Sequence, residues 1–94
     1  MMFLKKRILI KNPQGLHARP ASVFVKIANK FESEVRVRKD DETVDGKSIM
    51  GLMTLAANEG SELELEINGP DAEQAMKELE TFLMSDNDEG NTTA

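Results

Sequence analysis

The run Glu62-Leu63-Glu64-Leu65-Glu66-Ile67 alternates without a fault between acidic and aliphatic residues. A strand places successive side chains on opposite sides, so Leu63, Leu65 and Ile67 are predicted to face a core while the glutamates face water. A sheet containing such a strand has one dry face and one wet face. That is the habit of an antiparallel sheet covered on one side only.

The remaining elements can be placed around this strand. Leu4, Ile8 and Ile10 alternate with Lys5, Arg7, Leu9 and Lys11, which predicts a first strand over residues 3–10, ended by Asn12-Pro13-Gln14-Gly15. Ala21, Phe24, Val25 and Ala28, flanked by Val23, Ile27 and Phe31, repeat at helical spacing. They predict a helix over 18–30, in whose first turn Pro20 is tolerated. Glu34-Val35-Arg36-Val37-Arg38 and Thr43-Val44 read as a hairpin across Lys39-Asp40-Asp41-Glu42. Ser48 is placed to cap a short helix through Ile49, Leu52, Met53 and Ala56, which Gly51 weakens. Asn68-Gly69-Pro70-Asp71 is a turn into a helix that starts at Pro70 or Asp71 and runs to Leu83, with Ala72, Ala75, Met76, Leu79, Phe82 and Leu83 on one stripe.

The order βαββαβα gives an α+β class. It predicts a two-layer open-faced β-sandwich, with a four-stranded antiparallel sheet and three helices on one face. Ninety-four residues suffice for one core, so residues 1–84 are expected to form a single domain. Residues 85–94, with no apolar residue before the terminal alanine, are expected to form a disordered acidic tail.

Composition removes several function classes. There is no cysteine and only one histidine, so disulfides, thiol chemistry and a multi-histidine metal site are not expected, and no cofactor is implied. The opening Met1-Met2-Phe3-Leu4-Lys5 is too short for a signal peptide and nothing resembles a membrane span. The expectation is a cytoplasmic protein without membrane insertion. Net charge is −5, with Asp86, Asp88 and Glu89 contributing from the tail, while Lys5, Lys6, Arg7, Lys11, Arg19, Lys26 and Lys30 all fall in the first third. A basic first third favours an acidic protein partner. Four phenylalanines without tyrosine or tryptophan argue against a base-stacking nucleic-acid surface.

The chemistry concentrates in Gly15-Leu16-His17-Ala18-Arg19-Pro20, which sets the one histidine at the mouth of the predicted first helix. A lone histidine is more often a surface residue or a cap than a catalyst, but this setting is specific. A neutral imidazole can accept a phosphoryl group, and first-turn amides with a guanidinium two residues on can hold the anion that results. Pro20 stiffens the backbone there. No G-x-S-x-G elbow or carboxylate pair in an apolar setting provides hydrolytic machinery, so the pattern reads as a carrier.

Gly46-Lys47-Ser48 ends like a phosphate-binding loop, but that motif needs glycine where Asp41 stands. Ser48 reads as an N-cap, and also as a position where an added phosphate would act electrostatically. Among Ile49, Met50, Leu52 and Met53, spacing lets Leu52 and part of Ile49 enter the core, leaving Met50 and Met53 as a contact patch. Burial of all four is equally compatible with spacing.

Gly15-Leu16-His17-Ala18-Arg19-Pro20-Ala21 together with Lys47-Ser48-Ile49-Met50-Gly51 resembles HPr, the histidine phosphocarrier family of the bacterial phosphoenolpyruvate-dependent phosphotransferase system, and the likeness spans residues 3–84. The resemblance implies an open-faced sandwich. It implies that His17 is phosphorylated on Nδ1 by enzyme I and donates to EIIA components, and that Arg19 steadies the phosphoryl group. Ser48 matches the site of an ATP-dependent HPr kinase/phosphorylase, and Ile49, Met50 and Met53 match a partner-docking patch. Histidine rather than glutamine at 17 argues against the catabolite-repression paralogue. A carrier meeting several partners through one face is expected to be a monomer. The alternative is a regulatory or nitrogen-related paralogue acting through phosphorylation-dependent binding at Ser48 and its neighbours. A third reading, a ferredoxin-like ligand or RNA module, lacks aromatic and glycine-rich features.

Overall fold

Leu63, Leu65 and Ile67 are all buried, and the strand that carries them lies inside the sheet. A computed structural model describes residues 2–85. Its elements are β1 (Met2–Leu9), α1 (Ala18–Ala28), β2 (Glu34–Lys39), β3 (Glu42–Asp45), α2 (Ile49–Thr54), β4 (Glu62–Gly69) and α3 (Ala72–Leu83). The strands form one antiparallel sheet in the order β1-β4-β2-β3. This is the expected βαββαβα open-faced sandwich. Of the anticipated tail 85–94, residues 86–94 lie outside the described residues.

Register follows from the alternation. Leu63 pairs with Ile8, Leu65 with Lys6 and Val37, and Ile67 with Leu4 and Val35. Against this row pack Ala21, Phe24 and Ala28 of α1, Leu52 of α2, and Ala72, Ala75, Met76, Leu79, Phe82 and Leu83 of α3, all buried. Each fully buried Leu or Phe contributes about 1.5–3 kcal/mol, which sets the layer spacing far more firmly than any surface contact. On the wet face Lys5 pairs with Glu66 at 3.8 Å, Arg7 with Glu62 at 3.6 Å and Arg38 with Glu64 at 3.8 Å. Such exposed pairs are worth about 0–1 kcal/mol each, and they agree with the register rather than create it.

The differences from expectation are local. Lys6 occupies an inward position of β1, yet its ammonium escapes at the sheet edge to Glu80 of α3, 2.8 Å away. Helix α1 stops at Ala28 rather than 30, where Lys30 N–H and Phe31 N–H turn back to the Ile27 and Ala28 carbonyls. Helix α2 ends at Thr54, and Ala56 sits at φ 53°, which a helix cannot include. The β2–β3 turn needs a left-handed residue, and Asp40 provides it at φ 55°.

Asp71 precedes α3, but its carboxylate does not cap that helix. It accepts instead from the Ser33 hydroxyl at 2.5 Å and from the Glu32 and Ser33 amides, both at 3.0 Å. These bonds hold its pKa below the ordinary carboxylate value, with the Ser33 hydroxyl the largest cause and the Glu32 amide next. Gly69 permits the approach, since a Cβ there would collide with Ser33.

Candidate functional site

The segment that carries His17 is held at both ends. After β1, Ile10 N–H donates to Ser61 O and Gly60 N–H to Ile10 O, both at 2.9 Å. Lys11 and Asn12 then donate their amides to Leu83 O, at 3.0 and 3.4 Å. Asn12-Pro13-Gln14-Gly15 closes as a turn through Gly15 N–H to Asn12 O at 3.0 Å, with Gln14 N–H donating to Asn12 Oδ1 at 2.9 Å. Pro13 supplies the fixed φ that the second turn position favours. Gly15 sits at φ 63° against the Ala57 carbonyl, where a side chain would overlap backbone atoms. Leu16 is buried and donates its amide to the same carbonyl at 2.8 Å.

His17 follows as the N-cap of α1, in an extended conformation at φ −79° and ψ −166°. Its ring is exposed and makes no capping hydrogen bond. Its carbonyl accepts the first intrahelical bond, from Ala21 N–H at 2.8 Å, so the amides of Ala18 and Arg19 precede that ladder. Pro20 is buried and Arg19 exposed, and the first turn contains no acid. Two buried residues, Leu16 and Pro20, thus bracket the ring and grip the backbone, while the side chain projects outward. An imidazole so placed keeps its nitrogens available, and the helix start offers positive potential to an incoming anion.

The second predicted region takes shape beside it, as α2 packs on α1. Ser48 is the N-cap of α2, and its Oγ accepts from Gly51 N–H at 3.0 Å. Gly46 donates its amide to Val35 O at 2.8 Å, so close that an added Cβ would lie 2.5 Å from Val35 Cγ1. Leu52 is buried, but Ile49, Met50 and Met53 are 40 %, 73 % and 41 % exposed. The open choice over the patch is therefore decided for exposure, Ile49 included. A six-residue helix lying on a neighbour turns only one narrow side inward.

Sequence reasoning did not find three contacts. Lys47 reaches the Phe31 carbonyl at 2.8 Å, tying the start of α2 to the turn after α1. Ala57, just past α2, seats Gly15 and Leu16. Asn12 organises the turn before His17. Only the Asn-Pro-x-Gly pattern carried a local sign of any of these. Among the described residues no group of three or more His, Cys, Asp or Glu is placed to hold a metal, and no helix is long and apolar enough to cross a membrane.

Known proteins share this arrangement. The family model described as PTS HPr component phosphorylation site matches residues 4–85. The chain belongs to the HPr family. It is accordingly a phosphoryl carrier that works through histidine, within the phosphotransferase system. Phosphocarrier protein HPr of Neisseria meningitidis serogroup B is 53 % identical over 76 residues, covering 81 % of this chain and 85 % of the relative. The HPr-like protein Crh of Bacillus subtilis is 39 % identical over 83 residues, covering 88 % and 98 %. The crystal structure of HPr from Bacillus anthracis superposes with a TM-score of 0.85 at 40 % identity, covering 88 % of this chain and 99 % of that one. The open-faced HPr fold is thus present in full.

Proposed function

We propose that His17 carries the phosphoryl group, accepting it from phospho-enzyme I and passing it to an EIIA component in the cytoplasm. The observation that supports this is the exposed imidazole at the start of α1, free of any capping bond and gripped through its backbone. In the forward step the Nδ1 lone pair attacks phosphorus, the P–N bond forms, and the bond from phosphorus to the donor breaks with its electron pair. The reverse geometry serves donation. Arg19 and the first-turn amides receive the charge on the phosphoryl oxygens. Ile49, Met50 and Met53, on the helix that packs against α1, give partners an exposed apolar contact. Phosphorylation of Ser48 by an HPr kinase/phosphorylase would set about −1.5 to −2 charges next to that patch and weaken docking of an acidic partner.

A regulatory role is the second reading, favoured by the similarity to Crh and by Ser48 standing beside the exposed patch. One experiment separates the two. Incubation with phosphoenolpyruvate and enzyme I, followed by intact mass after acid and after base, should show an acid-labile, base-stable phosphate that His17→Ala abolishes. No incorporation into the wild-type chain leaves only the regulatory reading.

A further inference from the structure

Asn12 is 1 % exposed, and among the described residues its Nδ2 is the one buried side-chain nitrogen or oxygen without a hydrogen-bond partner. The amide cannot simply be turned round, because Gln14 N–H donates to the other end and so requires oxygen there. Burying an amide with half of its capacity unused costs stability. What an apolar side chain of similar size cannot supply is the Oδ1 acceptor.

We infer that Asn12 is a positioning residue for phosphoryl transfer. The inference rests on the reading of His17 as the acceptor. Through one residue pass the bonds that shape the approach to the imidazole. Its amide is fixed on Leu83 O, its carbonyl takes Gly15 N–H, and its side chain takes Gln14 N–H. The next link is Leu16 on Ala57 O, and then His17. Asn12 touches no reacting atom. It sets the height and direction at which the ring leaves the surface, and in-line transfer is sensitive to displacements of about 1 Å. The docking residues Ile49, Met50 and Met53 lie on another element, so partner affinity is not its business.

The test is steady-state turnover of phospho-enzyme I with each variant as acceptor, at a temperature where circular dichroism shows the variant folded. Asn12→Ala is expected to lower kcat about tenfold and to move KM by less than about twofold. Asn12→Ser, whose hydroxyl can accept from the amide two residues on, is expected to recover most of the loss. Should Asn12→Ala not fold, Asn12→Ser against Asn12→Cys makes the same comparison, since sulfur is a weak acceptor of similar size; serine is expected to turn over several-fold faster. Equal kcat across the pair, wild-type kcat in Asn12→Ala, or a change in KM alone overturns the inference while leaving the function of His17 intact. Failure of the wild-type chain to take phosphate overturns both.

Discussion

Asp71 and Ser33, thirty-eight positions apart, are joined by a hydroxyl-to-carboxylate hydrogen bond of 2.5 Å at the start of α3. Two backbone amides converge on the same carboxylate, so the bond closes the α1–β2 turn against the β4–α3 turn. Bonds to an ionised acceptor are worth more than neutral ones and depend on its charge.

That dependence fixes a pH response. The folded-state pKa of Asp71 lies below its ordinary value, so its stabilising contribution is complete above the unfolded carboxylate range near about 4 and disappears as pH falls through the folded value. Asp71→Asn should melt below the wild type at pH 7, by a gap that holds down to about pH 5 and then closes as melts are taken toward pH 2. A constant gap across that range would show that ionisation of Asp71 is irrelevant to the clasp.

Arg19 is exposed, so Arg19→Ala should leave the chain folded. Loss of a charge-assisted bond of about 1.5–3 kcal/mol formed only with the phosphoryl group should slow transfer roughly tenfold to a hundredfold. Quenched-flow transfer from phospho-enzyme I, beside a thermal melt, measures both. A wild-type rate removes the residue from the reaction.

Ser48→Ala and Ser48→Asp ask different questions of one position. Alanine removes the acceptor of Gly51 N–H and should cost about 1 kcal/mol, read by urea unfolding. Aspartate keeps an acceptor and adds charge, so it should fold nearly as well yet be phosphorylated more slowly by enzyme I, chiefly through a higher KM. Indistinguishable KM values would exclude electrostatic control from Ser48.

Met50, 73 % exposed, contributes little to the core. Met50→Asp should leave the melt within about 0.5 kcal/mol of wild type and raise KM for enzyme I several-fold at unchanged kcat. Isothermal titration with enzyme I offers an independent check. Unaltered affinity would place docking elsewhere.

Gly46→Ala tests close packing. A methyl group 2.5 Å from Val35 Cγ1 cannot be absorbed without moving β2 or the start of α2, and overpacking of this kind costs about 1–3 kcal/mol. Chemical denaturation with an unchanged midpoint would mean that the turn yields more easily than its contacts indicate.

The contrast between what was legible and what was not follows from the range of the interactions. Period-two burial is a local property, so Leu63, Leu65, Ile67, Val35 and Val37 declared their strands and their inward side. Ser48 declared its cap for the same reason, since its partner is three residues away. Helix ends were less visible: α1 ends where the chain must turn toward Asp71, a constraint held thirty-eight residues downstream. Lys6 broke the pattern because an edge strand leaves a long side chain a way out to Glu80. His17, Arg19 and Ser48 could be named from the sequence, and the resemblance to HPr gave them roles. The seat of the His17 turn on Leu83 and Ala57 could not, because backbone carbonyls carry no signature of residue type.

The Ala57 carbonyl, which receives Leu16 and leaves no space for a side chain at Gly15, makes the two loops a single inheritable unit. A chimera that imports residues 47–57 from a relative also imports a new rest for the histidine. Because that rest is a main-chain oxygen, it is indifferent to the side chain at 57 and answers only to the course of the backbone.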